Sequence, residues 1–273
     1  DKSGNALYTD ANATKQATLT DYASTDTFYT SPQYTGWRTD GGKVYYYDAN
    51  HNKITGNQVI GGVMYTFGGD GALSQSSGNR GIDVSKYQGN IDWASVKAAG
   101  INFAIIRVGY RGSQTGALVE DSCFKKNIQG ATANGINVGV YFFTQATTEA
   151  EAVEEASMAL TLCSGYNLSY PIFVDTENGS GAARANGLDK GTRTACVAAF
   201  CKTIANGGRK AGVYASKSWY NNKIDASAFS NYFIWVAQYN TTCNYKGKYN
   251  MWQYSSKGSV PGIKGNVDVN IAY

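Results

Sequence analysis

From Gly81 to Tyr273 the chain alternates short apolar runs with stretches of helical periodicity. Strands are predicted at "GIDVS", "FAIIRVG", "INVGVYFF", "YPIFVDTE", "KAGVYAS", "YFIWVAQY", "YNMWQYS" and "VDVNIAY". Between the first several lie "WASVKAAG", "DSCFKKNIQGATANG", "EAEAVEEASMALTLCSG" and "DKGTRTACVAAFCKTIANGG", which read as helices. Their A-x-G or N-G endings are helix C-cap signals ahead of the next strand. The alternation predicts an α/β fold with a parallel sheet, and about eight strands close naturally as a TIM-like β/α barrel. The last strands are joined by segments too short for full helices. The expected barrel is therefore irregular, with its helices concentrated in the first half.

Upstream the pattern changes. "TGWRTDGGKVYYYDANHNKI" (35–54) overlays "TGNQVIGGVMYTFGGDGALS" (55–74), matching Thr35 with Thr55, Gly36 with Gly56, Gly41 and Gly42 with Gly61 and Gly62, and Tyr45 with Tyr65. Tyr47 and Phe67 keep the aromatic character. Each unit reads as an aromatic hairpin bounded by Gly and Asn/Asp turns, unable to bury its own face unless it stacks on its neighbour. The residues before it, rich in Thr, Ala, Asp and Ser, read as a lead-in or linker. The expected organisation is a lead-in (1–33), a small β-hairpin repeat module (34–79) and a barrel domain (80–273).

Composition narrows the function. Of the 273 residues 42% are hydrophobic, and no apolar run approaches the roughly 18 residues of a membrane span, so no membrane insertion is expected. Only 16% are charged, while Tyr (21) and Gly (32) abound, a mix associated with secreted or wall-associated proteins that face carbohydrate. The start "DKSGNALYTD" carries no basic-then-apolar leader, which fits a processed or trimmed chain and equally a cytosolic one. The net charge of +4 comes without a Lys/Arg cluster, so no nucleic-acid partner is expected, and a monomer is. The single His51 excludes most Ser-His-Asp and Cys-His chemistry. Cys123, Cys163, Cys196, Cys201 and Cys243 form no C-x-x-C, so neither zinc nor another metal or cofactor is expected, and most read as small buried residues.

"PIFVDTEN" puts Asp175 and Glu177 one residue apart at the end of a strand, where alternate side chains share a face. Their Cα atoms are then about 7 Å apart, near enough for each charge to alter the other's proton affinity. One carboxyl can hold a proton while the other stays ionised, as glycoside hydrolysis requires. In a β/α barrel the site lies at the carboxyl ends of the strands. Reading each strand to that end adds Asp83, Tyr141, Gln238, Trp252 with Gln253, and Asp268, and the second strand adds Tyr110. Acids, amides and aromatic faces together suit a sugar. The competing readings are a non-catalytic wall-carbohydrate-binding protein and a hydrolase of another amino-sugar polymer such as chitin. The longer D-x-x-D-x-D-x-E pattern of chitinase-like barrels is missing from "PIFVDTEN".

These residues carry a resemblance. "GIDVSKYQGNIDW", "FAIIRVGYRG", "INVGVYFF", "PIFVDTE" and the closing "VDVN", in this order from Gly81 to Tyr273, resemble glycoside hydrolase family 25, the lysozymes often called N,O-diacetylmuramidases. The resemblance implies cleavage of the β-1,4 bond between N-acetylmuramic acid and N-acetylglucosamine in bacterial peptidoglycan, without a metal. It implies Glu177 as general acid and then base, and Asp175 steadying the developing positive centre. Asp83 and Asp268 flank that pair, Tyr141 bonds the acetamido group, and Tyr110, Gln238 and Trp252 are further substrate-binding candidates. It favours retention with help from the substrate's own 2-acetamido group, although an i, i+2 pair fits inverting and retaining spacings alike. Many members have Tyr-His after the third strand, where Phe142 follows Tyr141 here. The hairpin units resemble the cell-wall-binding repeats of Gram-positive surface proteins, with Trp37, Tyr45, Tyr46 and Tyr65 as the binding candidates. Asn57 stands where the second unit would repeat Trp37, leaving an aromatic cage for choline incomplete.

Overall fold

Short strands carrying aromatic side chains build the first unit. The computed structural model describes residues 8, 11, 13, 16, 33–60, 63–74, 79–240 and 242–273, so the lead-in read over 1–33 lies almost wholly outside the described residues. Two compact units emerge, one of 1–60 with 64–77 and one of 61–63 with 78–273. In the smaller, β1 (Gly36–Asp40) pairs with β2 (Lys43–Tyr47) and β3 (Gly56–Ile60) with β4 (Val63–Phe67). Gly41 and Gly42 both take positive φ, 55° and 76°, giving the first hairpin a turn whose twist matches its strands. After each hairpin the chain returns in the same way. Tyr47 bridges Lys53 and Phe67 bridges Leu73, while Ile54 N donates to Tyr46 O and Ser74 N to Thr66 O. Trp37 meets Tyr46 and Tyr65 edge-on at 5.1 and 4.6 Å, so a ring of the first hairpin packs on the second.

The larger unit is a closed ring. Its strands are β5 (Asn79–Val84), β6 (Phe103–Arg111), β7 (Leu118–Glu120), β8 (Asn137–Phe143), β9 (Ile172–Asp175), β10 (Ala211–Ser216), β11 (Phe233–Ala237), β12 (Met251–Gly258) and β13 (Val267–Ala272). The ring order is β5, β13, β12, β11, β10, β9, β8, β6, closed by pairing of β6 with β5, and β7 hangs antiparallel on β6. The expectation of a wholly parallel sheet is corrected at the end of the chain, where β13 runs antiparallel to both β12 and β5. Only residues 259–266 join β12 to β13. A parallel return needs a crossover of about a dozen residues or more.

The four expected helices form as α1 (Trp93–Ala98), α2 (Phe124–Ala133), α3 (Glu149–Leu162) and α4 (Lys190–Asn206), and a short α5 (Lys217–Asn222) follows β10. Asp92, Thr148 and Asp189 cap α1, α3 and α4 by accepting from first-turn amides. All five cysteines are free, with Cys163, Cys196 and Cys201 buried. Among the described residues no helix is long and apolar enough to cross a membrane.

Phe103, Ile105, Phe173, Tyr214, Trp235 and Met251 fill the barrel interior. Glycines make room for the rings. Gly81 pairs with Phe103, and a Cβ there would sit 2.3 Å from the Phe103 ring; Gly212 stands in the same relation to Phe173. We expect Gly81→Ala to lower the unfolding free energy by about 1–3 kcal/mol, the usual penalty of overpacking, as read in a denaturant titration. An unchanged midpoint would show that the ring yields freely.

Candidate active site

Strand direction decides which side chains meet. Asp83 is one residue from the carboxyl end of β5, and Asp175 ends β9. Asp268 is second in β13, yet because that strand is antiparallel its amino end lies at the same rim, directly paired with Asp83. Strand β9 stops at Asp175, so Glu177 sits just past it rather than within it. Thr176 N still donates to Tyr214 O and stays buried, which keeps the backbone extended and turns Glu177 to the same side as Asp175. All four acids line one polar cleft of about 460 Å³, with Tyr141, Tyr110, Arg107, Lys86 and Tyr87. Tyr110 reaches it through a bulge in β6. Arg107 pairs with Tyr141 and Tyr110 with Phe143, and the extra residue between them flips the facing of the strand.

The floor of the cleft is a hydrogen-bond chain that holds Asp83 from one side. Gln253 Nε2 and Asn270 Nδ2 each donate to Asp83 Oδ2 at 2.8 Å. Gln253 Oε1 accepts from the Tyr214 and Tyr239 hydroxyls at 2.8 and 3.0 Å, and Asn270 Oδ1 accepts from Trp235 Nε1 at 2.8 Å. Each amide is thus oriented by its partners. Asp83 in turn hydrogen-bonds Asp268. Two carboxyls in that contact must share a proton.

Burial sets the electrostatics. Desolvation, then repulsion from Asp268, pushes Glu177 up to about 7. Desolvation likewise raises Asp268 to about 6, although its bond to Asp83 works against the rise. Asp83 and Asp175 are both raised well above the usual carboxylate range, first by desolvation and then by their neighbours' charges. Arg107 pulls Asp175 the other way. Asp175 Oδ1 is buried with no hydrogen-bond partner among the described residues. The cleft therefore holds a proton-sharing acid cluster and one unsatisfied acceptor.

Of the residues singled out in the sequence, Asp83, Asp175, Glu177, Asp268, Tyr141 and Tyr110 meet in the cleft. Gln238 and Trp252 do not line it. The Trp252 indole donates to Gln238 O at 2.8 Å, and the Gln238 side chain bonds Asn244 in both directions. Gln253, read from the same strand end as Trp252, does line the inner part of the site, joined there by Tyr239, Tyr214 and Trp235. In the hairpin unit Tyr45 and Tyr65 are buried, while Trp37 remains 42% exposed.

Residues 82–263 match the glycosyl hydrolases family 25 profile. Lysozyme M1 of Streptomyces globisporus is 30% identical over 207 residues, covering 72% of this chain and 68% of its own length. An autolytic lysozyme of Clostridium acetobutylicum is 27% identical, covering 70% of this chain and 55% of its own length. The solved structure of the modular autolysin LytC of Streptococcus pneumoniae superposes with a TM-score of 0.67 at 27% identity, covering 88% of this chain and 58% of that one. The same autolysin has been solved in complex with a synthetic peptidoglycan ligand. The chain thus spans a little over half the length of two of these relatives.

Proposed function

The chain belongs to glycosyl hydrolase family 25, and from that premise we propose that it is a muramidase, hydrolysing the β-1,4 bond between N-acetylmuramic acid and N-acetylglucosamine in bacterial peptidoglycan. The observation that carries the proposal is the buried carboxyl cluster in which Glu177 keeps its proton up to about pH 7. A general acid works best when its pKa lies near the working pH. Glu177 protonates the departing glycosidic oxygen, then takes a proton from the incoming water. Asp175 is itself held well above the usual carboxylate range, by desolvation first and then by the Glu177 and Asp83 charges, with Arg107 working against the rise. Its unpartnered Oδ1 is an acceptor for the acetamido N–H of the sugar, which would turn the acetamido oxygen toward the anomeric carbon and steady the cation formed there. Tyr141 lines the same pocket and offers a hydroxyl to that group. Asp83 and Asp268, sharing a proton, limit the charge that faces the pair.

Retention through the substrate's own acetamido group follows from this arrangement. The protein would act at the wall from outside the cell, as a monomer, with the hairpin unit holding wall polymer through its exposed Trp37. The test is incubation with purified peptidoglycan, with mass spectrometry of the new reducing ends and early proton NMR of the anomers. Muramic-acid ends of retained configuration are expected. N-acetylglucosamine ends, or inverted anomers, would sink the assignment of bond or mechanism respectively. Removing residues 1–79 is expected to weaken sedimentation with insoluble walls while soluble fragments are still cut; undiminished sedimentation would remove the wall-holding role.

A further inference from the structure

The cleft has a second wall that carries none of the four acids. It is lined by Lys86, Tyr87, Arg107 and Tyr110. Lys86 Nζ lies 3.5 Å from the Tyr110 hydroxyl, 5.2 Å from the Tyr110 ring centre and 5.6 Å from that of Tyr87. Arg107 next to it is already paired: its Nε donates to Asp121 Oδ2 at 2.7 Å, and a terminal nitrogen lies 2.7 Å from the same oxygen as an ion pair. Asp121 has nothing left to give the ammonium. The same oxygen accepts Lys86 N at 3.1 Å, and Oδ1 accepts Cys123 N at 2.9 Å. Among the described residues no carboxylate pairs with Lys86 Nζ, so it is the uncompensated charge of this wall.

Its position is built into the backbone. Lys86 opens a 3₁₀ turn, Lys86–Gln88, fixed by a capping box in which Ser85 Oγ accepts from Tyr87 N and Gln88 Oε1 accepts from Ser85 N. The bulge in β6 swings Tyr110 beneath the ammonium, and Tyr87, 77% exposed, offers a flat face at the rim. A glycan lying in the cleft is thus flanked by acids on one side and by a cation with aromatic neighbours on the other. Anionic substituents are repelled by the first wall and satisfied by the second.

We infer that Lys86, between Tyr87 and Tyr110, receives a carboxylate of the peptide arm carried by the muramic acid, making the site prefer acidic peptide-bearing strands over uncharged amino-sugar polymers. The inference rests on the muramidase reading. Muramic acid differs from its neighbour by a lactyl ether that carries the peptide, and the carboxylates of that peptide are the anions a strand presents. An ammonium of this kind makes a charge-assisted hydrogen bond to such a group.

The experiment compares soluble peptidoglycan fragments bearing free peptide carboxylates with the same preparation converted to methylamides. Wild-type protein is expected to prefer the acidic form. Lys86→Met is expected to reduce that preference, as a ratio of kcat/KM values, about tenfold and chiefly through KM. Lys86→Arg, which keeps the charge, should keep most of it. A preference that survives Lys86→Met, or a wild type that cuts both forms alike, overturns the inference and leaves the muramidase reading standing. A wild type that cuts neither form removes both.

Discussion

Glu177→Gln is expected to lower kcat/KM on peptidoglycan by about 10²–10⁴-fold, the usual contribution of a general acid, while making the fold more stable above neutral pH. The two effects share one cause. Burial first, and the Asp268 charge second, hold Glu177 up to about 7 from an ordinary 4.5. The folded chain therefore binds this proton more tightly than the unfolded chain does. The contribution of this group to stability is full below 4.5 and is lost as pH rises through the interval up to about 7. Glutamine has no proton to lose, so its fold escapes that loss, which is worth at most about 3 kcal/mol. The wild type should also lose activity as pH climbs past about 7 and the acid ionises. Reducing-end release, with thermal melts at pH 5 and pH 8, checks both halves. Near-wild-type turnover would move the acid role elsewhere, and an unchanged pH slope would show that Glu177 is not the strained group.

Arg111→Met is expected to destabilise the barrel by about 3 kcal/mol, through a buried charge deprived of its partner. Arg111 ends β6 and donates through Nε to Glu155 Oε1 at 2.9 Å, from a carboxylate fully buried on α3. Its other nitrogens hold Glu154, the carbonyl of Glu151 and the carbonyl of Gly116. Glu151 continues the strap to Arg184 at 2.7 Å. Without the guanidinium, Glu155, already raised by desolvation, must be protonated in the folded chain, so the deficit should shrink toward acid pH and grow toward pH 8. Differential melts would show a fall of roughly 6–12 °C at neutral pH. Adding Glu155→Leu should recover much of it, since apolar replacement of a buried pair is commonly neutral. A double variant as weak as the single one would place the effect in packing rather than charge.

Much of this architecture was legible in the chain. The doubled hairpins followed from Gly41-Gly42 and the aromatic repeat, and the four acids from reading each strand to its end. That Gln238 and Trp252 fall outside the cleft has one physical origin. Strands β11 and β12 are buried on both faces, so hydrophobicity does not say which face looks inward. Trp235, Ala237 and Met251 face the interior, and continuing their alternation leads to Tyr239 and Gln253 instead. That parity is set by neighbouring strands, not by the strand's own residues. Tyr110 is the converse case, because its facing depends on a bulge that no local composition announces. The antiparallel β13 did leave a trace, in a connection too short for any crossover.

That last strand also determines where the barrel is held. Ala272 pairs with Asn79, so the first and last strands of the ring end side by side at the floor, a strand's length from the acids. Within the barrel unit the outer ends of β5 and β13 therefore lie on the face away from the acids, and the pairing that closes the ring there is independent of the loops at the acid-bearing rim.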